Sequence, residues 1–253
     1  VVEKSQILER MGVGGPQALL EQVPGILYSR SGGINGQITI RGQNSNNTRS
    51  VIMIDGVRFS GRSTLDFNVL DPYQFESIEV IRGAASALWG SDAMNGVINF
   101  RTRRSNYNIG GEEFSATARI RALEYQSVNN GFAGRAEILG GGNGWDVLIG
   151  ASTRQGDDYT TPLQSLTAGS QGNYLKAPNS NYTTFNLDFN IGYTNKNHTR
   201  YYTQGRYSHI ESHRAGGGAG VAAAPGSYYG ISVAEVPITE YYIRAGVEKS
   251  NLG

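Results

Sequence analysis

From Phe114 onward the chain alternates with a period of two residues. In "FNLDFNIGY", Phe185, Leu187, Phe189, Ile191 and Tyr193 share one face, while Asn186, Asp188, Asn190 and Gly192 share the other. Successive side chains of a β-strand point to opposite sides of a sheet, so this is a strand with one apolar and one polar face. "FSATARIRA" repeats the pattern, with Phe114, Ala116, Ala118 and Ile120 against Ser115, Thr117, Arg119 and Arg121. "WDVLIGAST" does so through Trp145, Val147, Ile149 and Ala151. Weaker forms in "FAGRAEILG", "RYYTQGRYSHI" and "TEYYIRAGV" bring the expectation to six strands between residues 114 and 248.

A soluble β-sandwich and a transmembrane barrel both alternate in this way. Connection lengths separate them. The expected connections are 125–131, 141–144, 156–181, 194–198 and 213–237, so after the first they alternate short and long. Bacterial barrels have short turns at one end and long loops at the other, and a sandwich has no reason to sort its loops so. The mean hydropathy of −0.37 does not oppose a barrel, because only alternate strand residues face lipid. No run approaches the ~20 apolar residues of a membrane helix. Tyr is abundant at 15 and Gly at 35, a mixture suited to strands and turns. With 22 Lys+Arg against 21 Asp+Glu, bulk charge gives no reason to expect a nucleic-acid partner. Cysteine is absent, which excludes disulfides and thiolate metal sites.

Residues 1–104 follow a mixed α+β pattern and are expected to form a separate N-terminal domain, with 105–253 as barrel. "SQILERMG" and "GPQALLEQVPG" suit short helices, the second opened by Pro16 and ended by Pro24-Gly25. "QITIRG" and "SVIMIDGV" are expected as adjacent antiparallel strands joined by "QNSNNT". In "LDPYQFESIEVIRG", Asp71 caps a helical turn with Pro72 first inside, and a strand follows. "NGVINFRT" completes a hairpin through a Gly- and Ala-rich turn whose one large side chain is Trp89. The first residues show no basic start followed by an apolar run, so a mature or trimmed form is expected.

In their order, "LLEQVPGI", "ITIRGQ", "VIMIDGVRF" and "IEVIRGAASALWGSDAMNGVINFRT" resemble the plug domain of TonB-dependent outer-membrane receptors. The branch with the nearest wording is that of siderophore, cobalamin and colicin receptors. The resemblance implies a transmembrane antiparallel β-barrel around an N-terminal α+β plug, in the outer membrane of a Gram-negative bacterium. Such barrels have roughly 22 strands. Six would leave two open edges in hydrocarbon, so the chain is expected to be incomplete at its C-terminus. The implied function is TonB-dependent active transport of a ferric siderophore, with haem or cobalamin as the alternative cargo. A non-transporting adhesin or porin is the rival reading. The implied partners are TonB with its inner-membrane complex, a bulky nutrient, the lipid bilayer, and phage or bacteriocin. No enzyme activity, cofactor or nucleic-acid partner is expected.

The same resemblance places the ligand at segments 29–36 and 58–67, with Ser31, Asn35, Arg58, Ser60, Arg62 and Asp66 as candidates. It also implies that Arg41 and Arg82, in matching "IRG" positions, pair with barrel glutamates and lock plug to wall. From the alternation itself, the polar strand face carries Arg119, Arg121, Arg135, Arg154, Arg206 and Arg244 against Glu137, Asp146, Asp188 and Glu240. This mild positive excess would favour an anionic ligand. The open alternative is that these arginines only pair with carboxylates of plug and wall. His209, Glu211 and His213 have a metal-compatible spacing, and Asp157-Asp158 could approach Ca²⁺, but neither set amounts to a coordination shell. No metal site is expected.

Overall fold

The computed structural model describes residues 20, 23–30, 36–40, 43–44, 50–59, 70–82, 89–90, 93, 96–158, 160–162, 174–176, 180–214, 234–235 and 237–249. The first N-terminal helix, and residues 15–19 and 21–22 of the second, fall outside them. Leu20 is fully buried, and the chain turns away through Pro24 to Gly25, whose φ of 85° suits glycine.

The N-terminal part forms two sheets. β1 (Ile26–Arg30), β2 (Gly36–Ile40) and β3 (Gln43–Asn44) make a small antiparallel sheet in that order. β4 (Ser50–Ile54), β5 (Val57–Arg58), β6 (Phe75–Arg82) and β7 (Gly96–Thr102) make a second, ordered β5-β4-β7-β6. The expected hairpin of "ITIRG" with "VIMID" is therefore not formed. β2 pairs with β1 and β3, while β4 pairs with β5 and, in parallel, with β7. The reason lies in the unbroken apolar run of β4. Val51, Met53 and Ile54 are buried and Ile52 is half-buried, as in a central strand covered on both faces. The β4–β5 turn is Asp55-Gly56, with φ of 49° and 75°, the two positive values that a two-residue hairpin turn requires. β6 and β7 form the expected antiparallel pair. Trp89 packs on Val51, Met53, Ala93 and Val97.

The second half is one antiparallel sheet of long strands. β8 (Ser115–Gln126), β9 (Gly131–Gly142) and β10 (Trp145–Gly156) run in sequence order. After a short pair, β11 (Thr160–Pro162) with β12 (Tyr174–Lys176), β13 (Tyr182–Thr194) joins β10. β14 (Thr199–Arg214) follows and pairs with both β15 (Ala234–Glu235) and β16 (Ile238–Lys249). Two-residue and four-residue turns at 143–144 and 195–198 lie at one end of this wall. The connections 157–181 and 215–237 lie at the other, the long-loop end.

Burial along these strands is inverted relative to a soluble protein. Ile120, Ile138, Trp145, Ile149, Phe185, Leu187, Tyr193 and Ile243 are exposed, whereas Arg135, Glu137, Ser152, Arg154, Asn186 and Ser208 are buried. An apolar outside and a polar inside are what a barrel in lipid requires. Trp145 and Tyr193 stack at 5.2 Å near the short turns, and Phe185, Tyr207 and Tyr241 form a second group nearer the long loops. Phe185 and Tyr193 are separated along β13 by about 27 Å at the usual rise of a strand. Allowing for strand tilt, the two aromatic groups lie close to the margins of a ~25 Å apolar band.

β8 carries an irregularity that the alternation did not show. The register with β9 shifts between Ile120 and Ala122, so the phase reverses there. Leu123 and Tyr125 become the exposed residues, and Ala122 packs against the buried core. Arg121 and Ala122 thus both face inward.

Candidate functional site: the seam between plug and wall

The core runs across both halves. Ile54, Tyr73, Phe75, Ile78, Ile98 and Phe100 of the N-terminal part pack in one cluster with Ala133, Tyr182 and Ile210 of the wall. The N-terminal domain therefore lies against the inner, polar face of the sheet as a plug.

Polar contacts then fix its position. Asp71 begins the 3-10 turn Pro72–Gln74, accepting the Tyr73 N–H at 3.1 Å. Pro72 suits the next position, having no N–H to satisfy. The other carboxylate oxygen of Asp71 accepts from the Ser152 hydroxyl and lies 3.6 Å from Arg135 Nη1. One buried aspartate thus caps a plug turn and contacts two wall strands. Two residues on, the Tyr73 hydroxyl donates to Glu124 Oε1 at 2.8 Å. Burial first, and then this bond to a carboxylate, push the Tyr73 phenol well above its ordinary range, so it stays a donor.

Glu137 on β9 collects four arginines. Arg103, just after β7, reaches it at 2.8 Å, Arg119 at 2.7 Å, Arg135 at 3.3 Å and Arg121 at 3.8 Å. Arg135 also makes a two-pronged pair with Asp188, at 2.7 and 2.9 Å. Such charges are tolerated inside because they are paired and hydrogen-bonded. Room for Arg135 comes from Gly150 across the strand pair, where a Cβ would collide with the guanidinium. Asn190 donates to the Arg103 carbonyl at 3.0 Å, fastening the plug's exit to β13 as well.

Toward β14 and β16 the contact is centred on Asp55, at the β4–β5 turn. Asp55 Oδ2 accepts from Gln204 Nε2 and from the Thr102 hydroxyl, both at 2.7 Å. Its Oδ1 accepts from the Thr102 N–H at 2.9 Å, and its carbonyl accepts from Arg244 at 3.0 Å.

Among the expected ligand residues, only Arg58 is described; it is exposed on β5. Ser31, Asn35, Ser60, Arg62 and Asp66 lie outside the described residues, as does Arg41. Arg82 ends β6 opposite Gly96. Arg119 and Arg121 both meet Glu137. Arg135, Arg200 and Arg206 are likewise paired with wall carboxylates. Of the arginines read from the strands, Arg119, Arg121, Arg135 and Arg206 are thus engaged in ion pairs, and Arg244 donates to the Asp55 carbonyl. Asp55, Asp71, Tyr73, Arg103 and Gln204 were not singled out from sequence. Only the capping pattern at Asp71-Pro72 hinted at one of them.

Two further clusters have structural partners. Asp158 accepts from the Ser180 and Asn181 N–H groups at 2.8 and 2.9 Å, closing the base of the 157–181 loop. Asp157 accepts from Asn130 at 3.1 Å, tying that base to the β8–β9 connection. His209 contacts Thr239 at 2.8 Å and Glu211 at 3.3 Å. No three His, Cys, Asp or Glu side chains among the described residues are grouped to hold a metal.

A sheet apolar outside and polar inside, with a separate domain bonded to its inner face, defines a plugged transmembrane β-barrel. Residues 1–97 match the family model described as the TonB-dependent Receptor Plug Domain. A vitamin B12 transporter BtuB of Vibrio vulnificus is 36% identical over 118 residues, covering 44% of this chain and 19% of that protein. An iron-regulated outer membrane virulence protein of Vibrio cholerae is 42% identical over 101 residues, covering 36% of this chain and 15% of that protein. The FrpB iron transporter from Neisseria meningitidis has the same fold, with a TM-score of 0.72 at 19% identity, covering 100% of this chain and 38% of that one. Residues 1–97 are thus a plug domain of the TonB-dependent receptor kind, and the chain spans about a fifth of the length of the first curated relatives it matches.

Proposed function

We propose that this chain supplies the plug and the first barrel strands of a receptor that takes up a scarce, bulky nutrient across the outer membrane of a Gram-negative bacterium. The observation that carries it is the plug itself, fastened to the polar inner face through Asp55, Asp71, Tyr73 and Arg103. A passage filled by its own tethered domain does not leak, so opening it calls for applied work. In this reading TonB and its inner-membrane complex supply that work. An adhesin or an open porin has no need of such a domain.

Ligand is received at the long-loop end, between the loops and plug segments 29–36 and 58–67. The cargo we favour is a ferric siderophore, supported by the iron-regulated relative and by the fold shared with an iron transporter. Cobalamin and haem are the alternatives favoured by the BtuB relatives and by a hemin receptor of Yersinia enterocolitica, 36% identical over 87 residues. The test is uptake of labelled ferric enterobactin, cyanocobalamin and hemin by cells carrying the complete receptor, with and without functional TonB. Uptake of the ferric complex that disappears without TonB is the expected result. Uptake of none, or uptake indifferent to TonB, overturns the reading.

A further inference from the structure

The inner faces of β13, β14 and β16 align in rows. Asn186 stands beside Ser208, Asp188 beside Arg206 and Tyr242, Asn190 beside Gln204 and Arg244, and Gly192 beside Tyr202. These rows descend from the long-loop end toward the short turns as one polar column facing the plug.

In its upper part the column holds buried polar atoms with no hydrogen-bond partner among the described residues. They are both side-chain polar atoms of Asn186, the Ser208 hydroxyl, Nε and Nη1 of Arg206, and the Tyr242 hydroxyl, with Gln74 Nε2 from the plug. Buried polar groups are ordinarily satisfied, so such a concentration calls for a polar occupant. A void of about 20 Å³, lined by Gln74, Arg206 and Tyr242 among others, lies within this part. It is large enough for roughly one water molecule. Below it is a cavity of about 570 Å³, lined by Glu79, Asn99, Arg101, Tyr202 and Arg244 among others. Thr102, Asn190 and Gln204 line both spaces and separate them. The partition is tied by the bonds of Asp55 to Gln204 and Thr102, supplemented by Asn190 donating to Gln204 Oε1 at 3.3 Å.

We propose that this column is the conducting route past the plug, and that the Asp55–Gln204–Thr102 contact is its gate. The inference rests on the transport reading but fixes where the seam parts. Withdrawing the β4–β5 turn removes Asp55 from Gln204, and the spaces join once the remaining plug contact, the Thr102 hydroxyl donating to Gln204 Oε1 at 3.2 Å, also breaks. Unpaired donors of Arg206, Asn186 and Gln74 then line the route, so it suits polar cargo rich in hydrogen-bond acceptors.

The test uses the complete receptor in planar lipid bilayers. Gln204→Ala removes three hydrogen bonds from the partition, to Asp55, Thr102 and Asn190, and should raise open-state ion conductance by about tenfold or more. Ser208→Cys in that background, modified by a bulky thiol reagent, should block the current. Absence of the rise in a variant that still migrates as a folded barrel, or current that survives modification, overturns the proposal. Should Gln204→Ala fail to fold, Asp55→Cys with Gln204→Cys serves instead. Its oxidation should abolish uptake of whichever of ferric enterobactin, cyanocobalamin and hemin the parent takes up, and reductant should restore it. Uptake indifferent to oxidation overturns the route. Blockable conductance in a receptor that takes up none of the three would sink the transport reading and leave the route standing.

Discussion

Asp71 of the plug and Arg135 of the wall approach to 3.6 Å, both fully buried, and the same Asp71 caps the turn that presents Tyr73. A single carboxylate therefore couples a local turn to the docking of a whole domain. Asp71→Ala removes the cap and leaves Arg135 with Asp188 and Glu137. Loss of one member of a buried pair typically costs about 3–5 kcal/mol. The surviving partners of Arg135 place this variant at or below the lower end. The expected result is a folded barrel with a loosened plug, read as raised entry of large antibiotics into cells carrying the complete receptor. Unchanged entry would show that the contact is incidental.

Tyr73 and Glu79 give opposite pH dependences. The Tyr73 phenol is raised, by burial first and the Glu124 bond second. Its contribution to stability is fully present below the ordinary tyrosine value of about 10 and is lost as pH rises beyond it. For Glu79, burial acts upward but is outweighed by hydrogen bonds from Asn99 and Arg101 and by the Arg101 charge, so its carboxyl is lowered. That contribution is present above the ordinary glutamate value of about 4.3 and fades as pH falls through the folded-state value. Denaturation midpoints against pH should lose their alkaline arm in Tyr73→Phe and flatten on the acid side in Glu79→Gln. Profiles parallel to the parent in both variants would refute the assignments.

The wall was largely readable from the sequence, because its faces obey a period of two that lipid and lumen enforce residue by residue. Phe185 to Tyr193 outward and Asn186 to Asn190 inward stand as the alternation has them. The Asp71-Pro72 turn was readable for a similarly local reason: capping is settled within three residues. Reading failed where a neighbour is chosen by tertiary packing. The apolar run of β4 announces a buried strand but does not say whether β2 or β7 lies beside it. The β8 irregularity is silent because Arg121 and Ala122 are ordinary strand residues. Glu137 is one polar-face carboxylate among several in the sequence, and its contact with Arg103 depends on how the plug is seated.

Orientation follows from the sorted connections. A cysteine at Gly169 or Gly217, within the long segments, should react with an impermeant reagent on intact cells. One at Asn143 or Lys196, in the short turns, should not. The reverse pattern would invert the wall and undo the choice of plug segments 29–36 and 58–67 as the ligand-facing side.

Ile149 and Ser152 lie on the same strand, β10, but on opposite faces of the wall. Ile149 is 44% exposed between the two aromatic groups, where lipid is its only surrounding in a barrel. Ser152 is buried at 4% against Asp71. A soluble sandwich would treat a charge at an exposed position as harmless. In a bilayer, arginine on the lipid face near the midplane costs about 2–4 kcal/mol. Ile149→Arg should therefore destabilise the complete receptor by that order, measured as reversible unfolding from lipid vesicles. Ser152→Ala removes one hydrogen bond to the buried Asp71 carboxylate and should cost about 1.5–3 kcal/mol. If Ile149→Arg costs well under the expected ~2 kcal/mol, the exposed face does not meet hydrocarbon and the barrel assignment falls.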